Sequence, residues 1–349
     1  MIPLPAARAF RLSLTTALAL VGAYALGLPL PYLAPIFSLF LASAPGPPMG
    51  FKGLVGLLVV VCLLTGTGLF LIPFLQYYPL TGLLLVGVGV FFSYVLSIHK
   101  GKGMVGSLLT VGVTLITAAG TMGFGVGIAV VKALAIGISV AVVSHWIVYP
   151  FFPEPERLVA PKKDPKPGSA HSNWFAVRAT LIVMPAYLLA LANPSAYLAG
   201  IMKSVSLGQQ RSLASARATG IELLGSTFMG GFMAALIWLA LKLHPNLWMF
   251  FLWVLLFVFF LSMKIYRLSP GRFSASFWIN VGVTALILLG PAVEDSANGK
   301  DPYAAFLVRF SLFIGITLYA WAAISILDGI HARLSRKRNA ITHLEPIPS

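Results

Sequence analysis

Two basic residues stand inside long apolar runs of this chain, Lys132 and Arg309. Charge within a bilayer is costly and is usually kept there for a function, so a buried cation is a candidate anion-binding group. The guanidinium of Arg309 could clasp a carboxylate through two parallel hydrogen bonds, whereas the Lys132 ammonium offers a point charge. The competing reading is that both side chains snorkel outward to headgroups. Phe306, Phe310, Tyr319 and Trp321 lie on or near the Arg309 run and could face an aromatic ring. With seven Trp and twenty-four Phe in the chain, ordinary packing and interfacial belts compete with that reading.

Acidic residues are scarce, nine in all, so each is readable. Glu222, five residues past Arg217, and Asp328, five before Arg333, could exchange protons during transport; alternatively each pairs with a basic neighbour and fixes a span end. Glu294, Asp295 and Asp301 form one acidic patch, read as a loop between two spans. A gate, a docking surface and a solvated loop tip all fit it.

Enzyme chemistry finds no support. The sequence has no HExxH, no Cys/His metal cluster, no GxSxG nucleophile and no Walker loop, and no cofactor is expected. Gly123-Phe124-Gly125-Val126-Gly127 resembles a nucleotide loop only superficially, because no strand precedes it. Gly220, Gly225, Gly230 and Gly231 read as a small-residue face for close helix packing. Cys62, the single cysteine, lies in an apolar run and cannot form a disulfide within the chain.

The elements that position these residues are transmembrane helices. Fifty-eight per cent of the residues are apolar and nine per cent charged, and apolar runs near twenty residues recur along the chain. Runs such as Gly53 to Leu75 are apolar on every face, which excludes the alternation of a β-barrel. The fold class is therefore an all-α polytopic membrane protein. Spans are predicted over 12–27, 31–44, 53–76, 79–98, 104–121 and 124–150, then 175–192, 194–209, 217–241, 246–265, 274–291 and 303–328. The first two of each half are short or marked by proline, as at Leu28-Pro29-Leu30-Pro31, which suits a tight, partly re-entrant hairpin. Arg8 and Arg11 before the first run resemble the start of a secretory signal, but the same pattern returns at Arg178, so the run reads as the opening span of a repeat.

In a twelve-span arrangement, twenty of the basic residues, Lys203 among them, fall on one side, and only Lys132, Lys242, Lys300 and Arg309 do not. The positive-inside rule then makes both termini and the linker cytoplasmic. The net charge of +15 is a topology signal spread over short loops, which excludes nucleic acid as a partner and leaves anionic lipid headgroups.

Landmarks repeat in order: Arg11 with Arg178, Lys52 with Arg217, Pro79 with Pro245, Thr114 with Thr284, and Lys132 with Arg309. The intervals are 41, 27, 35 and 18 residues against 39, 28, 39 and 25, and the acidic insertion accounts for the last excess. Two parallel six-helix repeats follow, over 1–152 and 174–332, joined by a linker at 153–173 and followed by a tail at 333–349.

Ala23-Tyr24-Ala25-Leu26-Gly27-Leu28-Pro29-Leu30-Pro31-Tyr32, Arg217-Ala218-Thr219-Gly220 and the Gly290 to Tyr303 segment resemble the fusaric acid resistance and aromatic acid exporter (FUSC-like) superfamily, in a two-repeat inner-membrane branch. The resemblance implies export of small, often aromatic, carboxylic acids across a bacterial inner membrane, with a periplasmic adaptor protein as partner and the proton-motive force as drive. A large cytosolic domain carried by bigger exporters of that type has no counterpart in the short linker. The residues alone leave two other functions open: a passive anion channel lined by the buried cations, and a scaffold subunit of an efflux assembly, in either case with room for an oligomer.

Overall fold

A computed structural model describes residues 3–99, 103–154, 169–208, 216–299 and 301–342. All regular structure among them is helical, in twelve successive segments. The first six are α1 (Leu4–Ala25), α2 (Leu33–Ser43), α3 (Phe51–Tyr77), α4 (Pro79–His99), a broken segment, and α7 (Phe124–Val148). The broken segment runs as α5 (Gly103–Val111), a π-helical turn at Gly112–Ile116, and α6 (Thr117–Gly120). The second six are α8 (Ser169–Ala192), α9 (Pro194–Gly208), α10 (Ala216–Leu243), α11 (Leu247–Ile265), α12 (Ala275–Ala297) and α13 (Pro302–Thr342).

Nine of these helices, among the described residues, are long and apolar enough to cross a membrane, and the chain is a multi-pass helical membrane protein. The predicted hairpins take a different form: α1 and α8 have full spanning length, and only the second member of each pair is short. At 1.5 Å per residue α2 covers about 16 Å and α9 about 22 Å, short of a hydrocarbon core of about 30 Å. At the other extreme, α13 continues past the predicted end of its span to Thr342, about 60 Å in all.

Packing between the two sets of six is reciprocal. Helix α1 lies along α11, and its counterpart α8 lies along α4. The short α2 packs on α12, and the short α9 packs on the broken α5–α6 segment. Each first helix also sends a tyrosine hydroxyl to the other set's fifth segment: Tyr24 donates to the Gly290 carbonyl at 3.4 Å, and Tyr187 bonds Thr117 at 3.0 Å. The first and second sets of six segments thus exchange equivalent contacts.

The close crossings use glycine. Helix α3 meets the π-helical turn where Gly68 faces Gly112, and a Cβ on Gly68 would collide with the Gly112 carbonyl. On α10, a Cβ at Gly230 would stand 2.8 Å from the Val281 carbonyl of α12, and one at Gly231 would strike the Phe310 ring. Around the π turn, where backbone pairing is offset, the Thr114 and Thr117 hydroxyls donate to the Thr110 and Val113 carbonyls at 2.6 Å each. Gly68→Ala is predicted to cost about 1–3 kcal/mol through overpacking and to lower Tm, whereas Gly66→Ala, whose Cβ meets nothing within 4 Å, leaves Tm unchanged or raised. Equal Tm values for the two variants in detergent would contradict the crossing.

Ion pairs, buried at Arg11 and partly exposed at Asp328, join the ends of the sets. Arg11, 1% exposed, donates through Nη2 to Oε1 of Glu154 at 2.7 Å, and Arg8 donates to the same oxygen at 2.7 Å. Arg178 at the corresponding place on α8 donates to Oδ2 of Asp328 near the far end of α13 at 2.6 Å. In both sets an arginine on the first helix is thus tied to a carboxylate at or just beyond the membrane-crossing part of the sixth. Burial pushes the Glu154 carboxyl up, but the hydrogen bonds and charges of Arg11 and Arg8 outweigh it and hold the group below the usual carboxylate range. A depressed folded value stabilises at pH above the unfolded value of 4.5, and that contribution disappears as pH falls through the lower folded value. Glu154→Gln should cost about 3–5 kcal/mol at neutral pH, because it leaves Arg11 buried without its counter-charge. Melting curves against pH check this: the variant should lie well below the native protein at pH 7 and converge with it in acid.

Candidate functional site

The side chains that could act on a ligand gather at two levels. One is the end of the bundle opposite the Arg11 and Arg178 pairs, where α1, α10 and α12 finish and α11 begins. A cleft of about 770 Å³ opens there, lined by Tyr24, Trp238, Lys242, Asn246, Phe250 and Ser296. The Tyr24 and Phe250 rings meet edge to face at 5.2 Å, and Lys242 Nζ lies 4.3 Å from the centre of the Tyr303 ring. Asn246 uses its side-chain oxygen to cap α11, accepting from the Met249 amide at 2.7 Å, which fixes that edge of the opening.

Arg309 is not among the residues lining this cleft, and it is not free. Its Nη1 donates to Oδ2 of Asp295 at 2.7 Å, and both side chains are about seven-eighths buried, at 12% and 13% exposed. The acidic segment itself differs from the expected loop. Helix α12 continues through Ala297, so Glu294 and Asp295 belong to its last turns, and the connection is a turn at Asn298–Gly299 with Gly299 at φ +72°. Neutralisation of Asp295 by Arg309 allows these acidic residues to remain helical against the bundle. Glu294 is half-buried near Tyr24 and Tyr32, and Asp301 is exposed, accepting from the Tyr303 amide at 2.9 Å as the cap of α13 ahead of Pro302.

The remaining predicted residues lie elsewhere. Lys132 is on an exposed face of α7, and α7 and α13 are not a packed pair, so Lys132 and Arg309 do not build one site. Glu222 accepts from the Ser274 hydroxyl at 2.6 Å, and that same hydroxyl oxygen accepts from the Phe277 amide, so the carboxylate secures the start of α12 to that of α10. Asp328 is held by Arg178, with Trp174 Nε1 at 3.4 Å from its other oxygen. Glu222 thus meets a serine hydroxyl rather than a basic neighbour, and Asp328 pairs with Arg178 of α8 rather than with the arginines that follow it in sequence. Gly220, Gly225, Gly230 and Gly231 meet Trp321, Phe277, Thr284 and Phe310 respectively, a small-residue face against two neighbouring helices.

The second level lies deep in the bundle and involves a residue counted above only as a topology signal. Lys203 on α9 is 3% exposed, and its Nζ donates to the Thr284 hydroxyl of α12 at 2.8 Å. Another buried hydroxyl pair, Thr227 on α10 and Thr317 on α13, bonds at 3.2 Å. The local sequence Met202-Lys203-Ser204, near a predicted span end, does not mark the lysine as buried; its pairing with Thr284, 81 residues away, exists only in the folded chain.

Residues 8–148, which run from α1 to the last residue of α7, match a family described as "Protein of unknown function (DUF2955)". No curated protein and no solved structure matches the chain. In its first six segments, the chain is similar to that family.

Proposed function

We propose that the chain is an exporter of small organic acids, aromatic carboxylates foremost, working in a bacterial inner membrane with both termini in the cytoplasm. The observation that carries this reading is the cleft at the end opposite the basic side. Tyr24, Trp238 and Phe250 line it together with Lys242, a combination suited to a flat ring bearing one negative charge. The cleft lies where α1 of one set meets α10, α11 and α12 of the other, and an interface between repeats is the place at which rocking repeats expose a site alternately to either side.

In this reading a carboxylate leaving toward the periplasm competes with Asp295 for the Arg309 guanidinium, and Asp295 recovers its partner when the anion departs. The pair is then a latch that closes behind the product. Lys132, on its exposed face, is assigned to headgroup contact instead. The drive by the proton-motive force and the periplasmic adaptor come from the superfamily resemblance, and the turn at Asn298–Gly299 is the surface such an adaptor would meet. A passive anion channel is the second reading, favoured by the same cations.

Purified protein in liposomes should accumulate benzoate against its gradient when a pH gradient is imposed. Losing one charge-assisted hydrogen bond of about 1.5–3 kcal/mol should make Arg309→Ala about 10- to 100-fold slower, with folding checked by Tm. Uptake that follows the anion gradient alone would make the protein a channel, and uptake no faster than in protein-free liposomes would end the transport reading.

A further inference from the structure

Lys203 is the buried charge that the packing does not answer. Its ammonium carries three donors, and the partner it meets is one hydroxyl, Thr284 Oγ1. No carboxylate among the described residues pairs with it, whereas Arg11, Arg178 and Arg309 each meet one. An ammonium taken from water and left with a single neutral acceptor is destabilising by several kcal/mol.

The fold does not require a cation there. With Arg11 matched to Arg178 and Lys52 to Arg217, the place of Lys203 in the first set is held by Ile36, Phe37 and Ser38, and α2 packs against its own neighbours with a hydroxyl pair, Ser38 to Thr16 at 3.5 Å. The same architectural role is thus filled without charge. Depth also distinguishes the position. Thr284 lies nine residues into α12 and thirteen from its end, about 14 Å and 20 Å along the axis, near the middle of the span. Gly200, one turn from Lys203 on α9, faces Leu312 and Ile316 of α13, and Gly230 of α10 faces Thr284. Helix α13 therefore packs on α9 one turn from Lys203, and α10 packs on Thr284, the one hydroxyl that meets the ammonium.

We propose that Lys203 and Thr284 form an anion-binding site at mid-depth of the bundle, taking the carboxylate of a small organic acid, with the bound anion as the counter-charge that the protein itself omits. The assignment rests on the transport reading for the direction of travel, but the site makes a binding claim of its own. The cleft at Lys242 and the site at Lys203 are then successive stations of one path. Since Lys203 is closed from water, the anion enters it when the repeats rearrange.

Lys203→Met tests this, since it keeps the length of the side chain and removes the charge. Sodium benzoate and sodium acetate are titrated calorimetrically into detergent-solubilised native and K203M protein, and benzoate uptake is measured in liposomes. Native protein should bind one or both salts, and K203M should bind them at least tenfold more weakly and take up benzoate at under a tenth of the native rate. Its Tm without ligand should be unchanged or higher, because an uncompensated buried charge has gone. Lys203→Arg, which keeps the charge, should retain measurable binding. Should K203M fail to fold, Thr284→Val carries the test, with binding several-fold weaker expected and native-like binding overturning the site. Equal binding by native and K203M protein, or no binding of either salt by native protein, overturns the site. Binding that depends on Lys203 without any flux supports the site and defeats the transport reading instead.

Discussion

Charge withdrawn from water has to be answered, and the shape of this bundle follows from where it is. Arg11 and Arg178 begin the first helices of the two sets, and each reaches a carboxylate belonging to the far end of the sixth segment of its own set. These pairs close each set of six into a unit, first segment to last. Arg309 repeats the rule toward the other end of the bundle, since Asp295 lies on the helix just before its own. In a medium of low effective dielectric a lost partner costs more than an intact pair contributes, so these contacts fix arrangement more than they add stability.

Between the two units the contacts are exchanged rather than shared. The first helix of one lies on the fourth segment of the other, and the short second segment of one lies on the fifth of the other. Function need not be divided evenly across such an arrangement. The first set spends its polar groups on the π-helical turn, where threonine hydroxyls satisfy the carbonyls that the turn displaces and two glycines let backbones touch. The second set keeps an unbroken fifth helix and holds Lys203, Arg309 and Lys242, and the cleft beside Lys242 is completed by Tyr24 of the first set.

Much of the helical layout was legible in the sequence, because a run apolar on all faces has few alternatives in a membrane. Expected spans at 79–98 and 246–265 lie within one residue of α4 and α11. Departures occur where a charge is compensated from afar. The first span begins at Leu4 rather than near residue 12 because Glu154, 143 residues from Arg11, makes that arginine tolerable inside. Helix α12 keeps Glu294 and Asp295 because Arg309 neutralises one of them. Lys203 went unnoticed for the same reason in reverse: a basic residue near a span end reads as a topology marker, and only its neighbours across the fold reveal that it is enclosed. The π turn at Gly112–Ile116 leaves no periodic trace over five residues.

The account holds that organic anions are carried by binding within the bundle and moving with it, rather than by passing through an open pore. Trans-stimulation tests this most directly. Liposomes bearing the protein are loaded with unlabelled benzoate, and the initial entry of labelled benzoate is compared with entry into empty ones at equal pH and potential. A carrier that returns faster when occupied gives faster entry into the loaded liposomes. Entry at the same rate whether or not benzoate waits inside would contradict it.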